Sequence, residues 1–286
     1  MTFSLRTTIL VVVLSLTQAM SACAPQTAAS PYRTYANVPI LGTEVRQLKS
    51  SAIGRNYDIY IRPPEGYEQA KGKKYPVLYL LDGQWDFKLL DSIYGGLYYD
   101  GFVPEMIIVG ITYSGDHPDY QALRAMDYTP MADVFISGSG DAPKFLIFLK
   151  EQLLPYIESN YRVDPMQRVL MGHSFGGTFT LYALYTEPTL FRGYVAASPV
   201  VTYGNRFAFK QEADYAASHT DLPVRLFLSI GELEDLAGPV GEFMQLLGER
   251  NYPGLEMETR TIAGERHAGS KPEAYNRGLR FVFQGQ

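Results

Sequence analysis

The residues most able to do chemistry lie in Arg168-Val169-Leu170-Met171-Gly172-His173-Ser174-Phe175-Gly176-Gly177, an apolar run leading into G-x-S-x-G and then into a helical pattern. The five-residue pattern alone is a weak signal, and its context gives it weight. A serine between strand and helix must take a strained backbone, and flanking glycines let the two elements approach without Cβ clashes. Ser174 would then stand alone at a sheet edge, as a nucleophile must. A serine hydroxyl is inert at neutral pH without a base in hydrogen-bond reach, and neutral imidazole suits that task.

Four histidines compete for the role. His173 adjoins Ser174 in a tight turn and should point elsewhere, packing the elbow. His219 reads as a helix end, where a partly charged ring favours free carbonyls. His117 precedes the serine in a long loop. His267, in Gly264-Glu265-Arg266-His267-Ala268-Gly269 between the last strand and the last helix, is the candidate base. The acid should follow the strand Val224 to Ile230, where Gly231-Glu232-Leu233-Glu234-Asp235 offers three carboxylates. Glu234, third after the glycine, is the choice over Asp235 and Glu232, and a dyad without an acid stays open. The order Ser174, Glu234, His267 is that of α/β-hydrolases, where the acid fixes the imidazole tautomer. Oxyanion donors are expected from the backbone N–H of Phe175 and, in the turn Asp82-Gly83-Gln84-Trp85, from that of Gln84. Trp85 is either a core anchor or a substrate contact.

These residues need a frame. Tyr75 to Leu81 and Met106 to Ile111 are nearly unbroken apolar runs, the mark of strands covered on both faces. Arg168 to Met171, Gly193 to Ala197, Val224 to Ile230 and Leu255 to Ile262 are further strands, and Glu44 to Pro63 reads as an edge hairpin. Helical patterns alternate with them at Trp85–Leu97, Ala142–Glu158, Phe175–Tyr185, Pro239–Arg250 and Lys271–Phe283. The expected fold class is therefore α/β, a mostly parallel central sheet flanked by helices with no separate large cap domain. Tyr113 to Asp141 lacks a period and is expected to be a substrate-facing lid or wall. Tyr98, Tyr99, Tyr113, Tyr120 and Tyr128 are placed near the rim, where aromatic faces suit catechol or sugar rings. Arg124 either attracts an anionic ligand or pairs with Asp127.

The chain has 286 residues, 46% hydrophobic and 19% charged, with net charge −5 and one cysteine. That suits one globular domain and excludes a disulfide scaffold, and the acidic balance argues against nucleic acid as a partner. The scattered histidines and single cysteine give no metal motif, so neither metal nor cofactor is expected. Arg6 and the apolar run Ile9 to Leu16 resemble an export signal, and Cys23 after Met20-Ser21-Ala22 resembles a bacterial lipobox cysteine. The expected organisation is a signal peptide over 1–22, a flexible tether over 23–36 and a catalytic domain over 37–286. The membrane would be met only through an N-terminal lipid on Cys23, and the mature protein would be a periplasmic lipoprotein.

The segments Leu80-Leu81-Asp82-Gly83-Gln84-Trp85, Arg124-Ala125-Met126-Asp127-Tyr128-Thr129-Pro130, Met171-Gly172-His173-Ser174-Phe175-Gly176-Gly177 and Arg277-Gly278-Leu279-Arg280-Phe281 together resemble an esterase family of α/β-hydrolases that includes esterase D and the enterochelin-esterase-like siderophore hydrolases. The resemblance spans roughly residues 36–286. It implies serine esterase activity without metal or organic cofactor, with Ser174 as nucleophile and His267 as base. Relatives cleave acetyl, feruloyl, thioester or catecholate-trilactone groups, and some appear without a clear acid. The expected function is hydrolysis of a small ester, such as a siderophore, through an acyl-enzyme. Acyl transfer by the same serine and a non-catalytic tethered binding protein are the alternatives.

Overall fold

The computed structural model describes residues 39–285. The signal-peptide, tether and Cys23 expectations fall outside them. Eight strands form one sheet in the order β1-β2-β4-β3-β5-β6-β7-β8. They are β1 (Glu44–Lys49), β2 (Asn56–Arg62), β3 (Tyr75–Leu80), β4 (Ile107–Tyr113), β5 (Val163–His173), β6 (Gly193–Ala197), β7 (Arg225–Gly231) and β8 (Glu256–Ile262). Only the hairpin β1–β2 and its junction with β4 are antiparallel; the other five pairings are parallel.

Period-two alternation explains why the central runs read as unbroken. Val77, Tyr79 and Leu81 face one core cluster and Leu78 and Leu80 face the other, each covered by helices. Helices α1 (Gly83–Tyr99) and α8 (Lys271–Val282) cover the second face. The first is covered by α3 (Ala142–Phe148), α4 (Leu154–Asn160), α5 (Phe175–Thr186) and α7 (Ala237–Arg250), with α2 (Tyr120–Tyr128) and α6 (Tyr203–Ala216) beside them. At the sheet edge, β1 alternates between half-buried and exposed, as expected of a strand with one solvated face.

Three expectations change. The region from Tyr113 to Asp141 is not a bare loop, because it contains α2, capped by the Asp119 side chain accepting from the Ala122 N–H at 3.0 Å. Its buried face carries Arg124 and Asp127, so no apolar stripe announced it. Helix α6 was hidden for the same reason: it buries Glu212, paired with Arg250, and opens with three left-handed residues, Gly204, Asn205 and Arg206. Finally, the helix expected over Ala142–Glu158 is interrupted by a π-helical turn at Leu149–Leu153. Pro155 follows that turn and has no N–H to continue the regular ladder.

Candidate active site

Five parallel strands, β3 and β5 to β8, deliver the candidate residues to one edge of the sheet, at their carboxyl ends. Ser174 follows β5 with φ 61° and ψ −122°, a conformation that costs energy in an L-residue and persists only where its surroundings enforce it. Its N–H donates to the Ala197 carbonyl at 2.9 Å, and its own carbonyl receives the Thr178 N–H at 2.9 Å. The turn needs glycine at Gly172, where a Cβ would lie 2.4 Å from the Gly176 carbonyl.

The loop after β8 brings His267 to the loop after β7. His267 Nδ1 lies 2.5 Å from Glu234 Oε2. Glu234 Oε1 accepts from the Ser198 hydroxyl at 2.6 Å and from the Gly231 N–H at 2.8 Å. Burial pushes this carboxyl up, but hydrogen bonds from His267, Ser198 and Gly231 outweigh it and hold its pKa below the usual glutamate value. An ionised carboxylate at Nδ1 places the proton on that nitrogen and leaves Nε2 as an acceptor. Gly231 is also required, because a Cβ there would meet the Glu265 carbonyl at 2.6 Å and Glu234 Oε1 at 2.9 Å.

The neighbouring residues hold this arrangement. His173 Nε2 lies 2.8 Å from the His267 carbonyl, so it carries the proton and donates it there. The two rings are 4.4 Å apart between centroids, which sets His267 beside the elbow. No hydrogen bond joins Ser174 Oγ to the imidazole among the described residues; such contacts often tighten only when substrate is bound. Burial, then the charges of Lys271 and His267, push His173 well below the ordinary histidine value, keeping it neutral. Ser270 Oγ donates to the same His267 carbonyl at 3.0 Å.

On the other side of the elbow, Asp82 takes a left-handed conformation with φ 56° and starts α1. Phe175 is the first residue of α5, and Gly83 and Gln84 are the first two of α1; none of their N–H groups has a protein acceptor among the described residues. Free amides at helix starts are suited to receive an oxyanion. The Gln84 side chain is turned away, accepting from Thr112 Oγ1 at 2.8 Å.

Arg124 binds this turn to the elbow. Its guanidinium donates to Asp82 Oδ1 at 2.8 Å, to Asp82 Oδ2 at 2.7 Å and to the His173 carbonyl at 3.2 Å, while Trp85, Tyr128 and Phe175 rings surround it. This corrects two expectations. Arg124, 6% exposed and held through Nε and Nη2, is a structural tie and pairs with Asp82; Asp127 pairs instead with Arg55 and accepts from Tyr57. Tyr128, with no exposed surface, is core and cannot line a substrate site. Of the rim tyrosines, only Tyr120 lies there, edge-on to the partly exposed Trp85 at 5.9 Å. Tyr113 is buried, and Tyr98 and Tyr99 end α1 at the opposite end of the sheet.

Ser198, Ser270 and Asp82 also hold the site, without a role legible from their sequence context. Ser198 carried a signal of position alone, since it directly follows β6 and every strand of this group ends at the same edge. A second tie, Lys271 to Asp86 at 2.7 Å, joins the starts of α8 and α1. No group of three or more metal-ligating side chains occurs among the described residues.

A mostly parallel sheet of this strand order, with a strained serine after β5, an acid after β7 and a histidine after β8, defines an α/β-hydrolase. The chain belongs to the family described as Putative esterase, whose profile matches residues 50–252, and it is an esterase. It is 33% identical over 271 residues to ferri-bacillibactin esterase BesA of Bacillus subtilis, covering 85% of this chain and 90% of that protein. The crystal structure of the BES protein from Bacillus cereus superposes with a TM-score of 0.78 at 27% identity, covering 88% of this chain and 98% of that one. The siderophore hydrolase EstA from Aspergillus nidulans shares the fold, with a TM-score of 0.75 at 24% identity over 87% of this chain and 98% of its own.

Proposed function

We propose that this chain hydrolyses siderophore esters, of the catecholate-trilactone type, through an acyl-enzyme on Ser174. The observation that carries the reading is the Glu234–His267 pair, which leaves Nε2 unprotonated beside an elbow that strains Ser174 outward. In this mechanism Nε2 takes the Ser174 proton as Oγ attacks the lactone carbonyl. The amides of Phe175 and Gln84 receive the oxyanion, and the cation on His267 is balanced by Glu234. His267 then returns the proton to the leaving alkoxide, and the C–O bond breaks to leave an acyl-serine and a free alcohol. A water, deprotonated by His267, attacks the ester; Ser174 recovers its proton and the carboxylic acid departs.

The substrate class rests on the likeness to the ferri-bacillibactin esterase. Trp85 and Tyr120, edge to face at the rim, supply ring surfaces on which catechols could stack. The test is hydrolysis of a ferric catecholate trilactone followed by chromatography, with native enzyme and Ser174→Ala. Native enzyme is expected to open the ring and the variant to lose at least a thousandfold in rate. A native enzyme that cleaves only simple acetates would overturn the substrate class. We further propose export and acylation of Cys23, tested by whether Cys23→Ser abolishes incorporation of labelled fatty acid.

A further inference from the structure

A cleft remote from the candidate active site is larger than the one beside it. A cleft of about 560 Å³ lies between the α1–β4 connection, β8 and α8, against about 290 Å³ for the one beside Glu234 and His267. Phe102, Glu258, Arg260, Arg277, Arg280 and Phe281 line it. Three arginines converge here in a chain of net charge −5, and their compensation is thin. Arg260 reaches Glu273 only at 3.5 Å and Glu258 only at 3.7 Å, and its Nε is buried without a partner. Arg277 and Arg280 have no carboxylate within 4 Å among the described residues. They are three positions apart on α8, hence on one face, and the Arg280 guanidinium sits 3.8 Å over the Phe102 ring. The α8 dipole accounts for a cation in the last turn, but not for three around one cleft.

The surroundings indicate what the cleft meets. It opens at the amino end of the parallel strands, opposite Ser174. On the same end Tyr99 is 90% exposed, and Tyr98 and Phe102 are partly exposed. Amphipathic rings beside arginines belong to membrane–water interfaces. Leu41, 83% exposed, stands where the chain approaches β1 from that same end, since Glu44 pairs with Ile61 at the foot of the sheet.

We propose that this cleft binds the phosphate of an anionic phospholipid headgroup, seating the domain on a membrane with its catalytic edge turned outward. Arg277 and Arg280 would hold the phosphate, and Phe102, Tyr98 and Tyr99 would lie at headgroup level. This adds a membrane contact to the one expected of an N-terminal lipid, and it stands whether or not Ser174 is the nucleophile.

The experiment is calorimetric titration of the full chain with dihexanoyl phosphatidylglycerol below its micelle concentration, alongside dihexanoyl phosphatidylcholine and inorganic phosphate. Phosphatidylglycerol is expected to bind at least tenfold more tightly than either control. Arg277→Gln with Arg280→Gln should weaken it about thirtyfold, from roughly one kcal/mol for each cation near an anionic surface. Phe102→Ala should weaken it severalfold, and all variants should hydrolyse p-nitrophenyl acetate at the native rate. Equal binding of the two lipids, or native binding by the double variant, would overturn the proposal. Inorganic phosphate binding as tightly as phosphatidylglycerol would overturn the assignment to lipid.

Discussion

Replacing Glu234 by glutamine changes one oxygen to an NH2 and leaves the volume almost unchanged. Its consequence follows from the hydrogen bonds. Oε1 receives two donors, Ser198 Oγ and the Gly231 N–H, so the amide oxygen of glutamine must take that place. The NH2 then faces His267 Nδ1, now a donor where the carboxylate was an acceptor at 2.5 Å. The imidazole answers by moving its proton to Nε2, which can no longer accept from Ser174. Tautomer reversal of this kind costs roughly 10⁴ in rate in the well-studied serine protease case, about 5.5 kcal/mol of transition-state stabilisation. We therefore expect kcat for p-nitrophenyl acetate to fall by about 10³ to 10⁴ in Glu234→Gln, with KM little changed and the thermal midpoint close to native. Asp235→Asn should stay within about twofold, as surface changes outside the network usually do. Retention of more than a tenth of native kcat by Glu234→Gln, in a folded protein, would refute the reasoning and leave a serine–histidine dyad.

Further outcomes follow from the same contacts. Gly172→Ala should lose at least about 2 kcal/mol in urea unfolding, since its methyl would meet the Gly176 backbone rather than a flexible side chain; native stability would show that the elbow can open. Arg124→Gln leaves Asp82 buried with its fork of donors gone, at a cost of about 3–5 kcal/mol, and kcat should fall more than KM rises. The conservative Arg124→Lys should restore part of the stability but not the rate, because one ammonium cannot reproduce the three contacts. Because the folded pKa of His173 lies well below 6.5, its contribution to stability is full above that value and is lost as pH falls beneath it, by up to about 1.4 kcal/mol per pH unit. His173→Gln should flatten the fall in thermal midpoint between pH 7 and pH 5, and an unchanged slope would place the acid sensitivity elsewhere.

What could be read from the chain and what could not divides along physical lines. Strands β3, β4, β6 and β7 were legible because each buries both faces, and apolar runs of that length have few other uses. That Ser174, Glu234 and His267 meet at one edge was legible because strand ends in a parallel sheet share that edge, so position in the chain stands in for position in space. Helices α2 and α6 were not, because Arg124, Asp127 and Glu212 occupy their inner faces and erase the apolar period. The pairing of Arg124 with Asp82 was not legible, for a related reason. Asp127 is near in sequence, while Asp82 is 42 positions away and meets it only through the fold. Exposure of Tyr98 and Tyr99 was foreseeable from their place at the end of α1, but which end of the sheet they occupy required the strand directions.

The central claim is that Ser174 carries the acyl group during turnover. Acid-quenching the native enzyme while it hydrolyses an activated ester, then mapping peptides by mass, tests it directly. The account predicts an acyl adduct on the peptide holding Ser174, confined to that side chain and absent from Ser174→Ala, which is inactive. An adduct on another residue, or turnover by Ser174→Ala near the native rate, would contradict it.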